Sequence, residues 1–288
     1  MTDGKTQLVG LIGWPVKHSV SPPMHNAAFE NLGLNWHYVP LPVRPGQVET
    51  ALRGFFALGF RGANVTVPHK QAVMPFLDEI TETAQAIGAV NTIVVQHDRL
   101  LGHNTDAYGF LADLQDAGFE PIGKRALVMG AGGAARAVVY ALAQSGCAIT
   151  IHNRSPERAA NLARDMLSIG VQSPVEWTPG SSGLADLELD QFDLLVNATS
   201  AGMWPHIEVS PWPEGLPLPS RWTVYDLVFN PMETRFLAQA RAAGATVVGG
   251  LGMLVWQGAA AFEMWTGEGP EKRIARLMRP ACEAALSE

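Results

Sequence analysis

The run Arg125–Ala–Leu–Val–Met129 leads directly into Gly130–Ala131–Gly132–Gly133–Ala134–Ala135, and then into an apolar-periodic stretch that ends near Gln144. A buried strand, a Gly-x-Gly-x-x-Ala turn and a helix in immediate succession leave a chain few options. Gly130 permits the tight turn, Gly132 lets backbone approach a pyrophosphate, and Ala135 allows the helix to pack closely on the strand. The helix start then presents unpaired N–H groups to phosphate oxygens. A second strand pattern, Ala148–His152, and a second helix pattern, Pro156–Leu167, follow at the spacing of a βαβ unit. The reading is a dinucleotide-binding turn in a parallel sheet; the alternative is a purely structural glycine turn.

The end of the second strand selects the nucleotide. An NAD site offers Asp or Glu about 20 residues on, to bond the ribose 2′-hydroxyl. This chain offers Asn153–Arg154–Ser155, with Arg158 one helical turn past Arg154. A carboxylate there repels a 2′-phosphate, whereas a guanidinium attracts it through paired charge-assisted bonds. The expected cofactor is therefore NADP, against the alternative of solvated loop arginines. Between Lys124 and Arg158 the bases are Lys124, Arg125, Arg136, Arg154 and Arg158, and the only acid is Glu157. The whole chain carries a formal charge of −7. That balance argues against a general nucleic-acid binder, while the local basic segment suits a small phosphate.

The 288 residues are enough for two domains, and charged residues make up only 16%, against roughly 25% in typical soluble domains. No run of 18 apolar residues exists, so no membrane-spanning helix is expected, and Leu8–Ile12 is too short for a signal-peptide core. Cys147 and Cys282 make neither a disulfide framework nor a zinc cluster, and none of the eight histidines falls in a His-x-x-x-His or His-Glu-x-x-His pattern. No metal is expected, and the reading is a cytoplasmic protein.

Strand-like and helix-like segments alternate along the chain. Strands are expected at Leu8–Ile12, Trp36–Leu41, Gly62–Val67, Phe192–Asn197, Thr223–Leu227 and Thr246–Val248, with a hairpin from Val90–Val95 and Arg99–Gly102. Helices are expected at Pro22–Leu32, Gln47–Leu58, from about Lys70, at Tyr108–Gln115 and Thr234–Ala243, and from Met253 onward. Thr178–Asp190 and Pro205–Pro219 read as surface loops. The fold class is α/β with two domains. Residues 1–105 with 252–288 form an N-terminal α/β substrate domain, and 106–251 form a Rossmann-type, doubly wound NADP-binding domain.

Further motifs occur in order: Gly13–Trp–Pro15–Val–Lys–His18–Ser19–Val–Ser21–Pro22–Pro–Met24–His25–Asn26; Asn64–Val–Thr66–Val–Pro68–His–Lys70; Asn91–Thr92 with Gly102–His–Asn104–Thr105–Asp106; Asn197–Ala–Thr199–Ser200–Ala–Gly202–Met203; and Gly249–Gly250–Leu–Gly252–Met253–Leu254–Val–Trp–Gln257. With the glycine turn, this series closely resembles the shikimate/quinate dehydrogenase family over nearly the whole chain. The resemblance implies an oxidoreductase (EC 1.1.1.25) reducing 3-dehydroshikimate with NADPH in aromatic amino-acid biosynthesis. It implies that Ser19 and Ser21 hold the substrate carboxylate. Asn64, Thr66, Lys70, Asn91, Asp106 and Gln257 would surround the ring hydroxyls, with Lys70 and Asp106 as the catalytic pair. Asn153, Arg154 and Ser155 would meet the 2′-phosphate. Thr199, Ser200, Met203, Leu227 and Gly250 would lie along the cofactor, Met203 near the nicotinamide. The partners implied are a small-molecule substrate, no nucleic acid and no membrane, in a monomer or homodimer.

The residues themselves leave alternatives open. Ser19 and Ser21 are two apart, so in an extended segment their hydroxyls point the same way and suit a carboxylate; Ser21 before Pro22 also fits a helix cap. Asn64 and Thr66 share the spacing, and fit equally a polar face on an edge strand. Lys70, taken alone, is a solvated charge at a helix start. Beside a carboxylate it can protonate the alkoxide left by hydride reduction of a ketone. Asp106 is its natural partner, or a helix N-cap before Ala107–Gln115.

One position departs from the family. Asp226–Leu–Val–Phe229–Asn–Pro231 carries Phe229 where the family usually has a tyrosine whose hydroxyl reaches substrate. Phenylalanine keeps the ring and loses the hydrogen bond, which leaves room for a quinate or aminoshikimate dehydrogenase of the same family. Ser21, where quinate-preferring relatives can carry Thr, favours shikimate. A non-catalytic NADP-binding sensor is the reading from another class; it has no need of both Lys70 and Asp106.

Overall fold

A computed structural model describes residues 2–178 and 183–287. They form two compact units, Met1–Gly109 with Leu254–Glu288, and Phe110–Met253.

The first unit begins with β1 (Gln7–Gly13), α1 (Ser21–Asn31), β2 (Trp36–Pro42), α2 (Val48–Leu58) and β3 (Phe60–Val65). It continues with β4 (Glu79–Ile80), α3 (Glu82–Ile87), β5 (Thr92–Gln96), β6 (Arg99–His103) and the start of α4 (Asp106–Asp116). Its sheet runs β2-β1-β3-β5-β6-β4. β1 is parallel to β2 and β3, whereas β5 is antiparallel to β3 and β6, so the sheet is mixed. Local signals account for the helix ends. Pro22 and Pro23 open the first turn of α1, where no N–H is needed, and Gly59 closes α2 at φ +69°, a left-handed position that costs glycine little. Ile12, Leu52, Phe55, Ala63 and Ile93 form one buried core.

The second unit carries the rest of α4, then β7 (Arg125–Met129), α5 (Gly133–Gln144), β8 (Ala148–His152), α6 (Pro156–Ser168) and β9 (Val175–Trp177). β10 (Leu194–Asn197), β11 (Thr223–Asp226), α7 (Arg235–Ala242) and β12 (Thr246–Gly249) complete it. α8 (Leu251–Thr266) starts in this unit, and α9 (Glu271–Leu286) returns to the first, packing on α1. All strand pairs are parallel, in the order β12-β11-β10-β7-β8-β9. This is the doubly wound arrangement, and its direction reverses between β7 and β10. Its inner strands β7, β8, β10 and β11 are mostly buried, and β7 and β10 read as continuous apolar runs. Trp222, Phe192, Phe236, Leu127 and Leu195 fill its core; fully burying a side chain of this size contributes about 1.5–3 kcal/mol.

Several expectations need correction. The helix from about Lys70 is absent: residues 70–73 are turns and only Met74–Phe76 coil, as a short 3₁₀ segment. The carbonyl of Lys70, which an α-helix would offer to Met74, instead accepts from Val90 N at 2.8 Å, and Pro75 has no N–H with which to extend the coil. Ser19 and Ser21 do not lie on an extended segment; Ser19 closes the turn that starts at Val16, its N–H donating to the Val16 carbonyl at 3.3 Å, and Ser21 is the first residue of α1. Asn64 is not on an edge strand, because β3 pairs on both sides. β4 and β9 went unforeseen, since two- and three-residue strands carry too little periodicity to read; α3, six residues between a Thr81 cap and Gly88, is under two turns long and also went unforeseen. Of Thr178–Asp190, residues 179–182 lie outside the described residues, while Leu184–Asp186 and Leu189–Gln191 coil as 3₁₀ turns. Pro205–Pro219 is irregular but not wholly superficial: Trp212 is buried edge-on against Trp222 and donates Nε1–H to the Leu216 carbonyl at 3.0 Å.

Candidate functional site

In the first unit, Lys70, Asn91, Asp106 and Gln257 meet in one network. Lys70 Nζ lies 2.5 Å from Asp106 Oδ2, with 17% of the lysine side chain exposed and 6% of the aspartate's. Asn91 Nδ2 donates to Asp106 Oδ1 at 2.9 Å and lies 3.3 Å from Gln257 Oε1. Asn91 is itself fixed, because its Oδ1 accepts from Thr105 N at 2.7 Å. Gln257, on α8, donates Nε2–H to the Leu254 carbonyl at 2.8 Å.

Asp106 is not the cap of α4. Asn104 Oδ1 takes the N–H groups of Asp106 and Ala107 at 3.0 and 3.3 Å, and its Nδ2 donates to the Ala89 carbonyl at 2.9 Å. Asn104 therefore does the capping, and the Asp106 carboxylate is left to Lys70 and Asn91. An Asn two residues before an Asp at a helix start is the signal that sequence reading passed over.

Asn64 is buried and held in one orientation. Its Nδ2 donates to the Asn91 carbonyl at 3.3 Å and to Thr92 Oγ1 at 3.1 Å, while Tyr38 Oη donates to its Oδ1 at 2.9 Å. Both amide hydrogens are then used, and only an acceptor lone pair on Oδ1 remains for a ligand hydroxyl. Behind Tyr38 the ring of His25 stacks at 4.3 Å and 2°. Among the described residues neither of its nitrogens has a partner in hydrogen-bonding geometry, and burial pushes its pKa down to about 3, against a smaller opposing effect of Asn64. Burial likewise raises that of Tyr38. Tyr38 did not stand out in the sequence, because Trp36–Leu41 reads only as a strand; His25 lies within the motif at 13–26, where no role was given to it.

The two serines occupy a turn–helix junction. Val20 holds the cap position of α1 without a side-chain cap, and Ser19 Oγ accepts from Ser21 N at 3.2 Å. Ser21 is buried and caps nothing. Thr66 lies just past β3, half-buried, its N–H bonded to the Ile12 carbonyl at 2.8 Å.

In the second unit, every residue expected along a cofactor lies at or just beyond the carboxyl end of a strand, where open α/β sheets take their ligands. Gly130 has φ +114°, and a Cβ there would stand 2.9 Å from the Ala198 carbonyl. Nothing lies within 4 Å of a Cβ at Gly132, which is the open cradle that phosphate approach requires. Among the described residues no side chain caps the start of α5, so its first N–H groups remain for an anion, and Ala135 is fully buried. Asn153 Nδ2 bonds the Ser155 carbonyl at 2.9 Å. Arg154 and Arg158 are exposed, and neither forms an ion pair among the described residues. Thr199 and Leu227 are tied to Asn197, Ser200 is exposed, and Met203 is 47% exposed. A Cβ at Gly250 would fall 2.2 Å from the Leu227 carbonyl, so only glycine fits. These residues fit a phosphate-bearing dinucleotide. Among the described residues no helix is long and apolar enough to cross a membrane.

Comparison with known proteins agrees with this geometry. A family model for the shikimate dehydrogenase substrate-binding domain matches residues 11–93. One for shikimate/quinate 5-dehydrogenase matches 114–204, and one for the shikimate 5′-dehydrogenase C-terminal domain matches 250–276. A shikimate dehydrogenase (NADP(+)) of Moorella thermoacetica is 52% identical over 282 residues, covering 97% of this chain and 95% of its own length. A shikimate dehydrogenase crystallised in complex with NADP+ shares 40% identity at a TM-score of 0.92, covering 100% of this chain and 98% of that one. The shikimate 5-dehydrogenase of Thermus thermophilus, in complex with NADP(H) and shikimate, shares 40% identity at a TM-score of 0.86, covering 97% of this chain and 100% of that one.

Proposed function

The chain belongs to the shikimate/quinate dehydrogenase family, and from that membership we propose that it is an NADP-dependent shikimate dehydrogenase, interconverting 3-dehydroshikimate and shikimate in aromatic amino-acid biosynthesis. The observation that carries the reading is the Lys70–Asp106 ion pair, anchored by Asn91 beside Gln257.

Bound NADPH supplies the hydride for the ring ketone. Gly130 to Ala135 and the start of α5 hold its pyrophosphate, while Asn153, Arg154, Ser155 and Arg158 receive the 2′-phosphate. Thr199, Ser200, Met203, Leu227 and Gly250 line the rest of its length. Ser19 and Ser21 bind the substrate carboxylate, and Asn64, Thr66, Lys70, Asn91, Asp106 and Gln257 surround the ring hydroxyls, Asn64 as an acceptor. Lys70 gives a proton from Nζ to the alkoxide oxygen as it forms, and its partial exposure lets solvent restore that proton. Asp106 fixes the Lys70 amino group in place through its Oδ2. In the oxidative direction, neutral Lys70 takes the hydroxyl proton. The whole reaction balances as two electrons and one proton to the carbon, with one proton to the oxygen. Biosynthetic use of NADPH fits a cytoplasmic protein.

The test is an absorbance assay at the NADPH band with shikimate and quinate, each with NADP and with NAD. The expected result is fastest turnover with shikimate and NADP. Turnover with none of the four pairs would overturn the enzyme reading in favour of a cofactor-binding sensor.

A further inference from the structure

Asn197 and Asp226 are register partners at the last positions of adjacent parallel strands, β10 and β11, and both side chains are fully buried. Beyond them the ladder ends and two loops begin, Ala198–Met203 and Leu227–Pro231. Asp226 Oδ1 accepts from Asn197 Nδ2 at 2.8 Å and from Val228 N at 3.0 Å, and Oδ2 accepts from Thr234 Oγ1 at 2.6 Å. Asn197 passes the constraint on. Its Oδ1 accepts from Thr199 N at 3.0 Å and from Thr199 Oγ1 at 2.7 Å, and its Nδ2 also reaches the Ala201 carbonyl at 3.2 Å. Thr199 Oγ1 in turn accepts from Ala201 N at 3.1 Å. Backbone bonds close the assembly, from Leu227 N to the Asn197 carbonyl and from Trp204 N to the Asn230 carbonyl, both at 3.0 Å.

We propose that Asp226 is a positioning residue, which acts through Asn197 to set the Thr199–Met203 loop against the Leu227–Pro231 turn and so fixes the nicotinamide end of the cofactor site. The inference rests on the functional reading above, which places Thr199, Met203, Leu227 and Gly250 along the cofactor. The chemistry favours this over a packing role. Burial raises the proton affinity of Asp226, and three donors work against that rise. A buried charge contributes little net stability compared with apolar side chains of the same volume, so its value lies in the single geometry it enforces. A carboxylate has the acceptor capacity for three donors from three segments at once; an amide at the same place keeps one acceptor oxygen and must reverse the Thr234 contact, so that the Thr234 hydroxyl accepts and its own hydrogen loses its acceptor. Hydride transfer is sensitive to small displacements of the reacting atoms. The loop holding the nicotinamide is therefore where a rigid tie has the greatest effect, while the glycine turn and the arginines hold the other end independently.

The test uses the full chain and the variants Asp226→Asn, Thr234→Val and Thr234→Ser. Three quantities are read: affinity for adenosine 2′,5′-bisphosphate, kcat for shikimate with NADP, and the deuterium isotope effect on kcat using shikimate deuterated at the transferred position. Asp226→Asn is expected to bind the bisphosphate within about twofold of wild type and to lose at least roughly tenfold in kcat, with a larger isotope effect as the chemical step becomes limiting. Thr234→Val should lose part of kcat, and Thr234→Ser should restore it. Unchanged kcat in folded Asp226→Asn, or equal loss of bisphosphate affinity and kcat, would overturn the proposal. If Asp226→Asn fails to fold, equal kcat in the two Thr234 variants overturns it. A wild-type chain that turns over no substrate would sink the functional reading and this inference together; a turning-over wild type with indifferent variants sinks the inference alone.

Discussion

Lys70 Nζ stands 2.5 Å from Asp106 Oδ2, and the other oxygen of that carboxylate accepts from Asn91. The lysine comes from an irregular turn and the aspartate from the first turn of α4, 36 positions later. The pair exists because the Lys70 carbonyl bonds Val90 N, which sets the turn beside Asn91, and because Asn104 takes over the capping of α4. Removing a proton-transfer residue typically costs about 10²–10⁴ in rate. Lys70→Ala should therefore lower turnover by at least that range while NADPH affinity, read by fluorescence titration, stays the same. Near-normal turnover would refute the assignment.

Arg154 and Arg158 are exposed at the end of β8 and the start of α6. A lost hydrogen bond to a charged group is worth about 1.5–3 kcal/mol, which is roughly ten- to a hundredfold in affinity. Arg154→Ala should raise KM for NADP by that factor and leave KM for NAD unaltered, with Arg158→Ala acting in the same direction. A parallel rise for both cofactors would show that the guanidinium does not read the 2′-phosphate.

Phe229 is half-buried in the turn that Asp226 holds through Val228 N. Phe229→Tyr returns the hydroxyl usual in the family. If the hydroxyl bonds substrate, KM for shikimate should fall by about tenfold, the effect of roughly 1.5 kcal/mol. Steady-state kinetics with shikimate and quinate would read it, and an unchanged KM would mean the hydroxyl was never missed.

His25 carries a pH dependence of stability. Burial depresses its pKa from 6.5 to about 3, so the folded chain keeps the ring neutral while the unfolded chain protonates it below pH 6.5. Its contribution is complete above 6.5 and is lost as pH falls from there toward about 3, at about 1.4 kcal/mol per pH unit. Urea unfolding of wild type and His25→Leu between pH 7 and 5 should show a shallower fall for the variant. Parallel curves would mean that the ring protonates in place.

The glycine turn, the strand–helix alternation of the second unit and the polar motifs were legible in the sequence. Each rests on local chemistry: Gly130 needs a left-handed φ, β7 and β10 are buried on both faces, and Asn153–Arg154–Ser155 follows a strand end. The hairpin of β5 and β6 was legible for the same reason. Local pattern misled at Lys70, where helical spacing lost to a single long-range bond from Val90 N, and at Ser19 and Ser21, where a turn and a helix start replaced an extended segment.

The sequence by itself determined which residue types are present and in what order, enough to set the fold class, the nucleotide turn and the candidate polar groups. Only the tertiary structure decided how those groups are used. It made Asn104 the cap so that Asp106 could pair with Lys70, spent both amide hydrogens of Asn64 on Asn91 and Thr92 so that only its Oδ1 keeps spare capacity, and buried Asp226 against Asn197. Each of these depends on which partner first satisfies a polar atom, and partners separated by tens of residues are chosen by the packing of the sheet, which no local spacing encodes.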